Sequence, residues 1–172
     1  MVAIEQTILR VGAVRLHVAQ AGPPSGPPVM LLHGFPDAWF GWRHQIEPLA
    51  AAGFRVIVPD GRGYDLSDKP RGIRAYALPK LIADVEGLAD VLGIERFDLV
   101  GHDWGGIVAW AVAAKRPERL RKLVILNAPH PETLFPYALR SPTQFLRSSY
   151  AAFFQFPWLP EAVLRAKGMA LL

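Results

Sequence analysis

Four short, mainly apolar runs constrain the fold of this chain more than any other feature. Runs of this kind are typical of strands that are buried on both faces of a sheet. Helix-like stretches separate them, and the alternation of strand and helix predicts a mostly parallel sheet with helices on both faces. The runs occupy residues 29–32, 56–59, 97–100 and 123–126. An α/β fold is therefore expected.

Two helices and a hairpin complete the predicted core. Residues 78–92 repeat apolar side chains along one helical face, and Gly93 follows as a stop signal. Residues 107–114 are apolar all round, which predicts a helix buried in the core. Residues 8–11 and 14–19 alternate in polarity around a glycine turn, which predicts an antiparallel hairpin before the first parallel strand.

The character of the chain changes after Pro129. The strand pattern ends there, and residues 133–172 are rich in aromatic residues, prolines and helix formers. We expect an N-terminal core over residues 1–131 and the beginning of a helical cap over residues 132–172. The sheet is expected to be incomplete, because no strand signal follows the change.

Composition and charge exclude several classes of protein. The 19 lysines and arginines exceed the 15 acidic residues only slightly and are scattered, so nucleic acid is an unexpected partner. There is no cysteine, which excludes disulfides and thiolate metal sites. No run approaches the ~18 consecutive apolar residues of a membrane span, and the N-terminus lacks a secretory pattern. We expect a soluble, cytoplasmic protein without cofactor or metal.

The motif Gly101-His102-Asp103-Trp104-Gly105-Gly106 carries the strongest functional signal. It follows one predicted strand and precedes a predicted helix, which is the context of a nucleophile elbow. The sharp turn pushes the side chain of Asp103 outward, so the residues two positions away, Gly101 and Gly105, have to be small. The alternative is that Asp103 only caps the helix. The flanking strand and helix favour the nucleophile.

A second motif, His33-Gly34-Phe35-Pro36, ends the predicted strand over residues 29–32. In a fold of this kind it supplies an oxyanion hole. The expected donors are the backbone N–H groups of Phe35 and Trp104. His33 is expected to hydrogen-bond loop backbone rather than to act as a base.

An aspartate nucleophile selects the substrate class. If a serine attacked a saturated carbon, it would leave an ether that water does not readily cleave, whereas a carboxylate leaves an ester that can be hydrolysed. Electrophilic sp³ carbon is therefore implied, chiefly in epoxides or alkyl halides. Ordinary esters and peptides become weaker candidates.

Six motifs spread along the chain share a pattern with one known group of enzymes. They are His33-Gly34-Phe35-Pro36, Trp42-Arg43-His44-Gln45-Ile46, Pro59-Asp60-Gly61-Arg62-Gly63-Tyr64, Ser67-Asp68-Lys69-Pro70, the elbow motif, and Asn127-Ala128-Pro129. Together they resemble the soluble epoxide hydrolase family of the α/β-hydrolase superfamily. The resemblance implies an α/β-hydrolase fold and hydrolysis of a small hydrophobic epoxide to a vicinal diol through an alkyl-enzyme ester.

The resemblance also implies an acid that protonates the epoxide oxygen. Family members use two cap tyrosines, and Tyr150 resembles the first of them by its spacing to the following Phe-Gln-x-Pro. The alternative is that Tyr150 packs on a helix face. Phe35, Trp104 and Tyr150 are the residues expected to bind substrate. Asp60 and Arg62 are expected to organise a loop.

Two alternatives remain open. Haloalkane dehalogenases also resemble this chain, so a dehalogenase is the second candidate. Many of them place a halide-binding asparagine after the glycine, whereas this chain has Phe35 there, which favours the epoxide branch. The chain also shows no later acid or histidine of the triad. The other histidines, His17, His44, His102 and His130, are poorly placed for that role. A truncated fragment without turnover is therefore the third possibility, and a longer parent reading frame is expected.

Overall fold

A computed structural model describes residues 2–141, 143, 146, 153–154, 156 and 158–166. The chain divides into two compact units, Met1–Ala128 and Pro129–Leu172. The predicted boundary between residues 131 and 132 lies close to this division. Each unit is described by itself.

The first unit is built on a six-stranded sheet. Its order is β1-β2-β4-β3-β5-β6. The pairs β1–β2 and β2–β4 are antiparallel, whereas β3–β4, β3–β5 and β5–β6 are parallel. The predicted hairpin and the mostly parallel sheet are thus confirmed. The strands are Glu5–Val11 (β1), Val14–Ala21 (β2), Pro28–Leu32 (β3), Arg55–Pro59 (β4), Phe97–His102 (β5) and Leu120–Leu126 (β6).

Three α-helices cover the two faces of this sheet, as the alternation of strand and helix predicted. Helix α1 packs on one face, and α2 and α3 pack together on the other. Short 3₁₀ helices connect them at Trp39–Trp42, Ile73–Tyr76 and Pro117–Arg119. The α-helices are Arg43–Ala51 (α1), Leu78–Val91 (α2) and Trp104–Lys115 (α3).

The alternation of side chains along β3 shows why its sequence is apolar throughout. Val29 and Leu31 pack with α1, whereas Met30 and Leu32 pack with α2 and α3. All four side chains are buried. Burying each side chain of this size stabilises the fold by about 1.5–3 kcal/mol. A polar residue in this strand would therefore face a core on either side.

Strand β6 departs from the expected burial on both faces. Leu123 and Ile125 pack against the core, but Val124 is 47 % exposed and Leu126 is 39 % exposed. The reason is that β6 is the edge strand of the sheet and α3 packs on the face that carries Leu123 and Ile125. Helix α3 also departs from its prediction, because Ala114 near its end is exposed.

A buried ion pair joins the loop after β4 to helix α2. The guanidinium of Arg62 donates to both carboxylate oxygens of Asp84, at 2.6 Å and 2.5 Å, and to the carbonyl oxygen of Ala75 at 2.7 Å. The side chains are only 9 % and 11 % exposed. Hydrogen bonding to Asp84 raises the pKa of Arg62, so the guanidinium stays charged. Arg62 thus organises the loop, as the sequence predicted.

The second unit contains the helices Pro131–Arg140 (α4) and Leu159–Ala166 (α5). His130 caps α4, because its Nδ1 accepts a hydrogen bond from the backbone N–H of Glu132 at 3.3 Å. Pro131 occupies the first turn, where its missing N–H is not needed. Within the described residues of both units, every helix is too short or too polar to span a bilayer.

We expect Asp84→Ala to lower the free energy of unfolding by about 3–5 kcal/mol, because it leaves the Arg62 guanidinium buried without its partner. The matched control is Glu86→Ala on the same helix, which removes the exposed pair with Arg116 and should cost about 1 kcal/mol or less. Urea unfolding followed by circular dichroism measures both variants. Equal losses in the two variants would contradict the structural role of the buried pair.

Candidate active site

Asp103 occupies the single residue between β5 and α3. Its backbone angles are φ 51° and ψ −119°, a conformation that residues other than glycine rarely adopt. Two hydrogen bonds hold it there: its N–H donates to the carbonyl oxygen of Leu126 at 3.1 Å, and its carbonyl oxygen accepts from the N–H of Ile107 at 3.1 Å. The predicted elbow geometry is therefore present in the backbone.

Glycines make this turn sterically possible. A Cβ atom on Gly105 would lie 2.3 Å from the carbonyl oxygen of Leu32, and one on Gly101 would lie 2.4 Å from the carbonyl oxygen of Gly105. Both distances are far below normal contact, so neither position has room for alanine. Gly34 has the same restriction, because its added Cβ would lie 2.5 Å from the Cβ of Asp103. The sequence predicted the need for Gly101 and Gly105 but not that for Gly34.

The turn that carries Phe35 and the predicted nucleophile, Asp103, are in direct contact. The backbone N–H of Phe35 donates to Oδ1 of Asp103 at 2.9 Å. Trp104 is the first residue of α3, where backbone N–H groups have no partner within the helix. The side chains of Phe35 and Trp104 are 41 % and 51 % exposed. The structure thus brings Phe35 into contact with Asp103, and Trp104 directly follows Asp103 in the chain.

Asp60 anchors the segment that follows the turn that carries Phe35. Its Oδ1 accepts a hydrogen bond from the backbone N–H of Trp39 at 2.7 Å, and its Oδ2 lies 2.6 Å from Nδ1 of His17. Asp60 and His17 are both buried. Ser67 adds a third connection, since its hydroxyl donates to the carbonyl oxygen of Asp60 at 2.7 Å. The carboxylate therefore ties strands β2 and β4 to the 3₁₀ helix that begins at Trp39.

One group of potential metal ligands occurs among the described residues. Ligand atoms of His17, Asp60 and Asp65 lie within 4.8 Å of one another. The two buried members already bind each other, and the second oxygen of Asp60 is engaged by the N–H of Trp39. We therefore interpret the group as a hydrogen-bond network rather than a metal centre.

Both ring nitrogens of His33 are engaged by loop backbone, as the sequence predicted. Nε2 accepts from the N–H of Gly61 at 3.0 Å, so the proton must lie on Nδ1, which donates to the carbonyl oxygen of Gly34 at 2.9 Å. The lone pair that a general base would need is therefore already used. His33 holds the β3 and β4 loops together beside Asp103.

Tyr64 is a site residue that the sequence analysis missed. Its ring packs edge to face on His33, with 4.7 Å between the ring centroids. Burial and, to a smaller extent, the negative charge of Asp103 raise the pKa of Tyr64 above its usual value. The phenol is therefore neutral, and it lies close enough to Asp103 for its pKa to respond to the charge of that carboxylate. No spacing rule marked this residue, because its position depends on the path of the loop after β4.

The remaining predicted site residue, Tyr150, lies outside the described residues. His17 is paired with Asp60, and His130 caps α4 in the second unit. Asn127 follows β6 with a positive φ of 53°.

Comparison with known families shows which family this chain belongs to. Residues 27–168 match the family described as alpha/beta hydrolase fold. The chain belongs to the α/β-hydrolase family. The predicted fold class is confirmed by this match together with the sheet and its helices.

Individual relatives of this α/β-hydrolase include epoxide hydrolases. It is 48 % identical to the AB hydrolase superfamily protein YfhM of Bacillus subtilis, over 96 % of this chain and 58 % of the relative. It is 45 % identical to Epoxide hydrolase 4 of Mus musculus, over 86 % of this chain and 41 % of the relative. The solved structure of epoxide hydrolase VrEH1 from Vigna radiata matches with a TM-score of 0.83 at 37 % identity, over 96 % of this chain and 54 % of that one.

These matches confirm the predicted resemblance to epoxide hydrolases. They also show that this α/β-hydrolase chain spans about half the length of the relatives that it matches. The similarity extends through the elbow, the turn that carries Phe35 and beyond residue 128, because it covers nearly the whole chain.

We expect Asp103→Asn to lower the pKa of Tyr64, because the variant removes a nearby negative charge that disfavours the tyrosinate. The pKa should stay above its usual value, since burial is the larger cause of the shift. NMR of ¹³Cζ-labelled tyrosine, titrated with pH, measures it. Asp90→Asn, which neutralises an exposed carboxylate on α2, is the control and should leave the pKa of Tyr64 unchanged. An equal response to both variants would contradict the proximity of Tyr64 to Asp103.

Proposed function

We propose that this α/β-hydrolase opens epoxides with Asp103 as the nucleophile and forms a vicinal diol through an alkyl-enzyme ester. The observation that carries the proposal is the carboxylate at the elbow, one oxygen of which is bound by the backbone N–H of Phe35. A carboxylate in this position suits attack on saturated carbon, since the resulting ester can be hydrolysed. The epoxide hydrolases among its relatives support the same substrate class.

The contact with Phe35 gives the two oxygens of Asp103 different roles. Oδ1 lies in the oxyanion hole, which leaves Oδ2 to attack the epoxide carbon. As the Oδ2–carbon bond forms, the ring carbon–oxygen bond breaks and the ring oxygen takes up a proton. We propose that Tyr150 donates this proton, as its place in the motif implies. Its neutral phenol would act as a general acid.

Hydrolysis of the ester is the second step. Water attacks the carboxyl carbon and negative charge develops on Oδ1, where the N–H groups of Phe35 and Trp104 would stabilise it. Collapse of this intermediate breaks the bond between the carboxyl carbon and Oδ2, and the departing alkoxide takes up the proton that a base has removed from water. The diol therefore leaves with Oδ2, and Asp103 keeps the oxygen of water. No cofactor takes part in either step.

This second step needs a base that removes a proton from water. His33, the histidine beside the nucleophile, has both ring nitrogens engaged by backbone. We therefore propose that His33 is not this base, and that the residues around Asp103 support ester formation more directly than ester cleavage.

The exposed rings of Phe35 and Trp104 favour a hydrophobic epoxide as substrate. Phe35 offers no side-chain donor for a leaving halide, which weakens the dehalogenase alternative. A charged substrate is also disfavoured, because the two rings would remove water from its charge without supplying hydrogen bonds in place of that water.

We expect the folded chain to gain the mass of one epoxide when it is incubated with a reactive styrene-type epoxide, and peptide mapping should place the adduct on Asp103. Asp103→Asn should gain no mass, because an amide does not attack the ring, whereas Asp90→Asn should react like the parent chain. Intact-mass spectrometry measures all three. Diol formation over many turnovers that Asp103→Asn abolishes would mean that a base lies within the chain. A folded parent chain without an adduct would contradict the nucleophile.

We expect Tyr150→Phe to slow ester formation by about ten- to ten-thousand-fold, because the ring oxygen then leaves without a proton donor. The rate is measured as the growth of the same mass adduct with time. Tyr137→Phe, a second tyrosine of the same unit, is the control and should leave the rate unchanged. An unaltered rate in Tyr150→Phe would assign that residue to packing.

A further inference from the structure

A cavity of about 250 Å³ lies in the first unit, beneath the loop after β4. Its walls come from the amino end of β2, from the carboxyl ends of β3 and β4, and from α2 and α3. Six of the sixteen lining residues are leucine or valine and belong to the larger of the two cores. These are Leu16, Leu32, Leu81, Val85, Leu88 and Val108.

The exposure of the lining residues shows where the cavity opens. Leu16 and Leu88 are only 2 % and 0 % exposed and form its floor. Tyr76 and Trp104 also line it but are 37 % and 51 % exposed, so they flank its mouth. Trp104 directly follows the nucleophile Asp103. The cavity therefore begins beside the proposed reaction centre and extends away from it into the core.

The charged groups on the wall are already engaged with other parts of the protein. Arg62 and Asp84 bind each other, and Asp60 binds His17 and the N–H of Trp39. A charged ligand would therefore find no counter-ion that it did not have to take from these bonds. The other polar groups of the lining include the hydroxyls of Tyr64 and Tyr76 and the indole N–H of Trp104, which accompany aromatic rings.

Size and wall chemistry favour a single ring as the occupant. An apolar cavity of about 150 Å³ stays dry and binds benzene. The larger volume here accommodates a phenyl group with room for its link to the reacting carbons. The rings of Tyr64, Tyr76 and Trp104 line the space, and aromatic pairs gain energy beyond the burial of area. A flat ring therefore fits better than a branched alkyl group.

We propose that this cavity binds the compact aryl substituent of an epoxide while its ring carbons face Asp103. The assignment of the substituent rests on the proposed function. The binding of an aromatic ring does not, since it depends only on the cavity.

The first experiment tests the cavity alone, with fluorobenzene as the probe and ¹⁹F NMR of the 172-residue chain as the readout. Saturable binding is expected, and Val85→Phe should weaken it by about tenfold or more, because the new ring occupies the cavity. Val91→Phe is the matched control, since Val91 lies on the same helix but is 51 % exposed. It should change the affinity by less than about twofold.

Circular dichroism establishes that each variant is folded. If Val85→Phe does not fold, Leu81→Phe at the partly buried side of the cavity replaces it and should show the same loss of binding. The proposal is overturned if fluorobenzene does not bind or if filling the cavity leaves its affinity unchanged.

The second experiment compares two epoxides, one bearing a phenyl and one a methyl group, by the rate at which each adds its mass to the chain. Filling the cavity should slow the reaction of the phenyl-bearing epoxide by about tenfold or more and leave the methyl-bearing one within about twofold. An equal loss for both epoxides would overturn the subsite. If neither epoxide reacts while fluorobenzene still binds, the proposed function fails and the ring-binding cavity stands.

Discussion

The close approach of the backbone at Gly34 to the side chain of Asp103 is the constraint on which the site depends. It requires the ends of β3 and β5 to meet in one register, and the sheet provides this by pairing Leu32 with Gly101. On the other side of β5, His102 pairs with Leu126, whose carbonyl oxygen holds the N–H of Asp103. Three adjacent parallel strands thus fix the position of Asp103 through backbone contacts.

The loop after β4 depends on a different kind of interaction. Asp60 and Asp84 are buried carboxylates, and removing such groups from water is costly unless their oxygens are bonded. Asp60 meets this need with His17 and the N–H of Trp39, and Asp84 meets it with Arg62. Each bond joins segments distant in sequence, so the loops around the nucleophile have few alternative arrangements. The same bonds leave the adjoining cavity without an unpaired charged side chain.

The sequence predicted those features that follow local rules. Apolar runs marked the buried strands, helical periodicity marked α2, and the steric demand of a tight turn marked Gly101 and Gly105. Features that depend on distant packing were missed. Val124 is exposed because α3 packs on the opposite face of the edge strand β6. Tyr64 lies near Asp103 because of the path of the loop after β4. Tyr150 was proposed by motif alone and lies outside the described residues.

The hydrogen bond from Phe35 to Oδ1 of Asp103 has opposite consequences for the two proposed half-reactions. In ester formation the carboxylate loses charge, so the bond weakens as the reaction proceeds and gives no acceleration. In hydrolysis charge returns to Oδ1 and concentrates there, so the same donor is strongest when the barrier is highest. Ring opening must therefore obtain its assistance elsewhere, from the proton donor and from the placement of the epoxide. Because the N–H of Phe35 already binds Oδ1 before the reaction begins, the rate of the proposed ester formation depends on the proton donor and on the pocket that places the epoxide.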